Sequence, residues 1–453
     1  QIPDSDAAAV AARRRFAQGL AELTALAAGL GEPASAAEQG LLTGAAFKVN
    51  NFTLGYHLED DSQLQRDYAA LLTRLLKPQL GEFLKPIEKR RRGGKIRVGV
   101  ASELLRLHNG AKWTYGWLSN LPRQDYEFYF YSLQGAVDAL TAKMAALGTY
   151  RWLPFREATY VGALKAIRGD RLDVLIVPDI GMTVSSRIAS LARLAPVQCM
   201  TCGHPVTSGS TMIDYFLSGE LVEPPDGQTH YTETVVRLPN MGVRLDAGDM
   251  DPPPATRADF GLPPDRPILG SVQGLIKYHP RHDDLFPRIA RDIPDALFVF
   301  VGARRQTMTD AFAARLKRAF DSHGLGFEHH VRILPFMPHT RFVQLFDALD
   351  LSLDTIGWSG GNTTAQALAR ACPVVTMRGR FMRSWFSHGM MRMTGLDELS
   401  VDSIEDYIAL AVRLARDRDY RAGLSAKIRA NKHKLFDDAE CVRGLDVFFK
   451  KNA

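Results

Sequence analysis

The run Trp358-Ser359-Gly360-Gly361-Asn362-Thr363-Thr364 holds the residue types that a phosphate cradle requires. Gly360 and Gly361 let a backbone turn sharply and approach a ligand, while Asn362, Thr363 and Thr364 are expected to cap the next helix and expose hydroxyl donors. That helix is expected over about 364–370. Its first N–H groups have no intrahelical acceptor, and its dipole places roughly half a positive charge there. A diphosphate suits that field. The same residue types also cap ordinary strand-to-helix turns, so the surrounding elements must decide.

A second group follows an earlier apolar run: Ser271-Val272-Gln273-Gly274-Leu275-Ile276-Lys277. Gln273 and Lys277 at a strand end would reach toward the Gly360–Thr364 loop, and the ammonium would offset charge developing on a departing diphosphate. Glu103-Leu104-Leu105-Arg106-Leu107-His108-Asn109, Pro178-Asp179-Ile180-Gly181-Met182 and Gly203-His204-Pro205-Val206-Thr207 each follow a strand candidate as well. His108 is a candidate general base, since an imidazole titrates near neutral pH, and Asp179, His204 and Thr207 are candidates for orienting a second substrate. Capping or packing is the alternative role for each.

These residues need a scaffold that brings strand ends together. Residues 6–90 read as helical, without a repeat of fixed period. After the basic run Lys89-Arg90-Arg91-Arg92-Gly93-Gly94-Lys95, strand candidates at 96–101, 126–132, 172–177 and 195–201 alternate with helical stretches, and DYFLSG and TVVRLP follow. That alternation predicts a parallel, doubly wound sheet. A Pro-rich stretch at 246–266 leads to a second set at 267–271, 296–302, 331–335, 349–354 and 373–377. The expected organisation is a helical segment 1–92, Rossmann-like domains at 93–245 and 246–425, and a C-terminal helix at 426–453 bracing the two. Two such domains joined by a hinge are expected to face a cleft, where α/β proteins bind ligands.

Composition excludes several classes. A chain of 453 residues, 46% of them hydrophobic, can bury substantial cores, and no apolar run approaches the length of about 18 residues that spans a bilayer. A cytoplasmic protein without a membrane span is expected. The net charge of +6 permits an acidic partner, but the excess gathers in the basic run without a nucleic-acid-binding motif, so no nucleic acid partner is expected. Four cysteines make no disulfide framework, and Cys199-Met200-Thr201-Cys202 lacks the second pair that would complete a zinc site. Buried free thiols are expected. Asp249-Met250-Asp251 has a spacing that binds divalent cations in some sugar-nucleotide enzymes, but it lies in the Pro-rich stretch rather than at a strand end. No metal cofactor is expected.

Taken together, PVQCMTCGHPVTSGSTMIDYFLSGELVEPP, YTETVVRLP, LIKYHP, ILPFMPH, LSLDT, GGNTTAQAL and PVVTMRG resemble glycosyltransferase family 41 over residues 96–424. That family comprises the O-GlcNAc transferase and SPINDLY group and the bacterial N-glucosyltransferases that modify adhesins. The resemblance implies an α/β GT-B fold and inverting transfer from a UDP-sugar to a protein side chain. It gives the first Rossmann-like domain the acceptor and the second the donor. Lys277 would contact the donor diphosphate beside Thr363 and Thr364, with Pro338 and His339 at the uracil and His108 on the acceptor side. Asn362 stands where many O-GlcNAc transferases have His, Ala367 where an acid holds the ribose, and Gly274 where a larger polar residue precedes the lysine. A metal-independent transferase using UDP-GlcNAc or UDP-glucose is the expectation. Transfer to a glycan or small molecule, sugar-nucleotide epimerisation, and a non-enzymatic sugar-nucleotide or protein-binding module are the alternatives.

Overall fold

The computed structural model describes residues 2–453 apart from Glu32, Ala34, Arg91, Arg92 and Asp249, with Asn109 described by its backbone alone. Two residues of the basic run, Arg91 and Arg92, and the first aspartate of the Asp249–Asp251 pattern therefore lie outside the described residues. The chain divides into two compact units. One comprises Arg13–Gly55, Glu59–Arg244 and Ala439–Ala453, and the other Gln1–Ala12, Tyr56–Leu58 and Leu245–Asp438.

Helices dominate the first part of the chain: α1 (Asp6–Gly29), α2 (Ala36–Lys48), a 3-10 turn (Phe52–His57) and α3 (Ser62–Leu80). In α3, Tyr68, Leu72, Leu76 and Leu80 recur at a spacing of four and are all buried, so one helical face supplies the contact. Ser35 caps α2 by accepting from Glu38 N.

The first sheet has seven parallel strands: β1 (Ile96–Ser102), β2 (Tyr126–Ser132), β3 (Thr149–Trp152), β4 (Val174–Val177), β5 (Val197–Thr201), β6 (Tyr215–Gly219) and β7 (Thr234–Leu238), in the order β3-β2-β1-β4-β5-β6-β7. Apolar strands buried on both faces, such as Val174–Val177, are what a parallel sheet between helices requires. Helices α4 (Asn109–Leu118), α5 (Ala139–Leu147), α6 (Tyr160–Gly169) and α7 (Val184–Ala189) make the crossovers. The sequence pattern missed β3, whose residues are mostly exposed and carry no apolar periodicity. Lys89 and Arg90 are bonded within this unit, Lys89 to Asn452 O and Arg90 to the Asp173 carboxylate, so that part of the basic run is held by the fold.

The second sheet has six parallel strands: β8 (Ile268–Gly270), β9 (Leu297–Val301), β10 (Val331–Leu334), β11 (Leu351–Leu353), β12 (Val374–Met377) and β13 (Ser400–Val401), ordered β10-β9-β8-β11-β12-β13. Its helices are α8 (Leu285–Asp292), α9 (Gln306–Ser322), α10 (Phe327–His330), α11 (His339–Leu345), α12 (Asn362–Ala369), α13 (Phe386–Thr394), α14 (Ile404–Arg416) and α15 (Arg418–Asn431). Phe286, Phe312 and Tyr278 pack with Phe300 of β9, with centroids 4.8–5.7 Å apart, edge-to-face in three pairs and tilted in the Tyr278–Phe312 pair. The C-terminal stretch is helical, but it is divided. Residues up to Asp438 count with the second sheet, while α16 (Ala439–Asn452) counts with the first, where Tyr126 bonds the Asp446 carboxylate at 2.7 Å.

Among the described residues no helix is long and apolar enough to cross a membrane. All four cysteines are free and buried.

One buried ion pair pins the segment after Lys277. Arg315 on α9 is 3% exposed, bonds the Asp283 carboxylate at 2.6 Å and donates to Tyr278 O at 2.7 Å. Removing one partner strands the other in a low dielectric. Arg315→Met should cost about 3–5 kcal/mol, read as a lower urea midpoint for the transition of the second-sheet unit at unchanged slope.

Candidate functional site

In the second sheet the strand order reverses between β8 and β11. Ligands of open α/β sheets bind past the strand ends at such a point. The segment after β8 carries Gln273 and Lys277, and the segment after β11 carries Asp354 to Gly361.

Asp354 organises both segments from inside. It is 3% exposed, and its Oδ1 accepts from the Thr355 amide at 2.9 Å, the Gly360 amide at 2.8 Å and Gln273 Nε2 at 3.2 Å. Oδ2 accepts from Thr376 Oγ1 at 2.8 Å. Burial pushes the carboxyl pKa up, and hydrogen bonding from Ser387 together with the Lys277 charge pulls it back. Lys277 ends a single 3-10 turn, Leu275–Lys277, and its Nζ donates to Gln273 Oε1 and Ser359 O, both at 3.0 Å. Burial of the ammonium lowers its pKa from 10.5 to about 8, and Asp354 opposes that shift.

Gly360 is obligatory by geometry. A Cβ there would fall 2.3 Å from Thr364 Oγ1 and 2.5 Å from Gln273 Nε2. The helix after it departs from expectation, because α12 begins at Asn362 and Gly361 occupies the N-cap without a side-chain hydrogen bond. Thr364 is 2% exposed and its hydroxyl pairs with Ser387 Oγ at 2.7 Å, so it packs the loop against α13 instead of presenting a free donor. Thr363 remains half-buried. The first helical amide bond runs from Ala365 N to Gly361 O, which leaves the amides of 362–364 ahead of any intrahelical acceptor.

Pro338 is the N-cap of α11, and both it and His339 are exposed. His339 Nδ1 lies 3.5 Å from Gln366 Nε2 on α12, which brings the expected base-side segment beside the phosphate-side helix. Ala367 is 0% exposed. The position that the resemblance gives to a ribose-binding acid therefore faces the interior here.

In the first sheet the order reverses between β1 and β4, and the three expected loops meet there. Ser102 at the end of β1 donates to Asp179 Oδ2 at 2.7 Å. A Cβ on Gly181 would lie 2.9 Å from the His204 ring, and one on Gly110 would lie 3.6 Å from Gly203 Cα. His108 is the N-cap of α4 and half-buried, and burial, then the neighbouring Arg106 charge, lowers its pKa below 6.5. The others lie deeper. Asp179 is 1% exposed, also accepts from Ser186 Oγ at 2.9 Å, and is raised by burial to about 6. Thr207 is 2% exposed and donates to Glu233 Oε2 at 2.6 Å, while His204, equally buried, packs against Phe52 with centroids 5.2 Å apart.

Sequence reasoning overlooked Asp354, Ser387 and Glu233. Asp354 did carry a signal, an acid directly after the apolar run LSL, but an acid there reads equally as a cap. Glu233 and Ser387 sit far along the chain from the groups they bond. Asp251 is tied to Arg370 at 2.8 Å, and among the described residues no group of three or more His, Cys, Asp or Glu is placed to hold a metal ion.

The profile of glycosyl transferase family 41 matches residues 74–252 and 250–443. The chain belongs to glycosyltransferase family 41. Among curated relatives, a protein named probable UDP-N-acetylglucosamine–peptide N-acetylglucosaminyltransferase SPINDLY from Solanum lycopersicum is 27% identical over 292 residues, covering 63% of this chain and 30% of that one. The UDP-glucose:protein N-β-glucosyltransferase of Actinobacillus pleuropneumoniae is 23% identical over 291 residues, covering 62% of this chain and 45% of that protein. The chain thus spans less than half the length of either relative. Among solved structures, a mutant O-GlcNAc transferase from Thermobaculum terrenum superposes with a TM-score of 0.73 at 24% identity, covering 99% of this chain and 84% of that one. That likeness, with two parallel Rossmann-like sheets and a helical N-terminal region, gives this family member a GT-B fold.

A lysine whose pKa falls from 10.5 to about 8 is neutral at a pH where other lysines are still charged. Lys277 should therefore become reactive toward a small amine-acylating electrophile across pH 7–9, ahead of exposed lysines, as read by peptide mass spectrometry. Between pH about 8 and 10.5 the unfolded chain keeps a proton that the folded chain has released, so this group makes the fold more stable as pH rises through that window.

Proposed function

We propose that the chain is a protein glycosyltransferase that moves a sugar, GlcNAc or glucose, from a UDP-sugar to a protein side chain, with inversion and without a metal ion. The observation that carries this reading is Lys277. In a family 41 chain, its ammonium stands at the sheet's switch point on two neutral acceptors, Gln273 Oε1 and Ser359 O, in the segments joined by Asp354.

In the proposed reaction the acceptor oxygen or amide nitrogen attacks the anomeric carbon as the bond to the diphosphate oxygen breaks. The electron pair leaves with UDP. Lys277 and the amides of 362–364 stabilise the charge that develops there, taking the part that a divalent cation plays elsewhere. Pro338 and His339 take the uracil side, and Gly360 and Gly361 let the backbone close on the phosphates. His108, kept neutral by burial, receives the acceptor proton. Asp179, His204 and Thr207 hold the acceptor-side loops in place through their buried contacts. The names of the plant and bacterial relatives, which include UDP-N-acetylglucosamine and UDP-glucose with peptide or protein, support the donor and acceptor classes.

Purified protein should transfer sugar from UDP-GlcNAc or UDP-glucose to proteins in a lysate, detected by intact mass. Lys277→Ala should lower kcat/KM by about 10²- to 10³-fold, the usual loss for one transition-state charge partner. If no UDP-sugar turns over and Lys277→Ala leaves UDP binding unchanged, the reading fails. EDTA should leave the rate unchanged.

The pH profile follows from the same groups. Lys277 must be charged and His108 neutral, so kcat/KM should fall on the alkaline side near pH 8 and on the acid side below 6.5. A profile with no alkaline fall up to pH 9 would remove the Lys277 charge from the mechanism, and an acid limb at or above pH 6.5 would remove His108.

A further inference from the structure

Tyr56 and Leu58 follow α2 in a short turn, and the residues on either side of Tyr56–Leu58 count with the first sheet. These residues themselves count with the second. The Tyr56 ring stacks on Trp358, with centroids 4.0 Å apart and planes 9° from parallel. Trp358 is 7% exposed, and the Arg383 guanidinium also lies over its indole at 5.9 Å.

The next contact is closer still. A Cβ on Gly357 would lie 2.6 Å from both δ-carbons of Leu58, so the backbone at 357, with φ of +87°, runs directly against the leucine. Leu58 itself has φ of 61°, a left-handed conformation that a bulky residue adopts only where its surroundings impose it. Stack and close contact together grip the backbone at 357–358.

That grip is one residue from the Lys277 ammonium. Thr355 Oγ1 donates to Trp358 O at 2.7 Å and closes the turn, Ser359 O accepts from Lys277 Nζ at 3.0 Å, and Gly360 N donates to Asp354 Oδ1 at 2.8 Å. A shift at Trp358 therefore moves an acceptor of the lysine. A second anchor reaches the segment that follows the same lysine in the chain. Asp6, at the start of α1, lies 3.8 Å from His279 Nδ1 and pairs with Arg281 at 3.2 Å.

We propose that Tyr56 and Leu58 are positioning residues of the donor site. They form a strap from the N-terminal helical region that fixes the carbonyl of Ser359 and, through it, the direction of the Lys277 ammonium. This inference rests on the reading of the Lys277 segment as the donor diphosphate site. It assigns to Tyr56 and Leu58, which count with the second sheet, a part in donor binding.

The test uses the full chain with Tyr56→Ala, Tyr56→Phe and Leu58→Ala, UDP as the probe, and two readouts. These are the Kd for UDP by calorimetry and amide hydrogen exchange over residues 356–362 in the free protein. Tyr56→Ala should weaken UDP binding about fivefold to tenfold, the range expected for losing one aromatic stack, while Tyr56→Phe keeps the Kd within about twofold. Exchange over 356–362 should quicken in Tyr56→Ala and stay at the wild-type rate in Tyr56→Phe. Wild-type values of both Kd and exchange in Tyr56→Ala would overturn the strap. If wild-type protein itself fails to bind UDP, the donor reading falls, and the proposed link from the strap to the donor falls with it. Quickened exchange in Tyr56→Ala would then support only a grip on the loop, and unchanged exchange would end that as well. Should Tyr56→Ala fail to fold, Leu58→Ala decides between the same outcomes.

Discussion

The arrangement depends on a buried carboxylate that has been given hydrogen bonds instead of a direct counter-ion. Asp354 accepts hydrogen bonds from two backbone amides, an amide side chain and a threonine hydroxyl, and those donors belong to segments after β8, β11 and in β12. An ionised acid in a low dielectric is costly unless its lone pairs are filled. Here filling them forces the segment after β8 and the loop before α12 into one place. The Tyr407 hydroxyl extends the same knot to α14 by donating to Asp354 O at 2.8 Å.

The same solution recurs in the first sheet. Asp179 is filled by the hydroxyls of Ser102 and Ser186, and Glu233 by Thr207, Ser208 and the Ser208 amide. Small hydroxyl residues can be buried at little cost in side-chain entropy, and each one ties a loop to its neighbour. Arg187, 1% exposed, completes that region by donating to Gln65 Oε1 at 2.8 Å and to Ser208 O. Strand-end loops in both units are thus set by internal polar bonds, and the residues able to meet a substrate are the few left over.

This explains what could be read from the sequence and what could not. Strands such as 126–132 and 297–301 are long apolar runs between helical stretches, and their period is local. Likewise Gly360 and Lys277 stand out only because each follows an apolar run of the second strand set, since alone either residue type serves an ordinary turn or surface. Thr364 read as an exposed donor, since nothing in its neighbourhood of sequence shows Ser387 waiting to bond it. Asn362 read as a cap, but Gly361 adopts the turn that a capping residue would otherwise make. Tyr56 and Leu58 were illegible for the same reason as Glu233: their meaning lies in partners far along the chain.

The polarity of Lys277 follows from these constraints. Its two acceptors, an amide oxygen and a backbone carbonyl, are neutral, and Asp354 acts on it only across Gln273 and the loop. A lysine in direct contact with a carboxylate would gain a high pKa but surrender its charge to that partner. With neutral acceptors in contact and Asp354 acting only at a distance, it is oriented yet only partly compensated, which is why burial can draw its pKa down to about 8. An arriving diphosphate would then supply the missing counter-charge, and the amides of 362–364 would add to the same attraction without any change in protonation. The buried acid fixes the geometry while leaving the cation free to be neutralised from outside, and a closer ion pair would have sacrificed that division of labour.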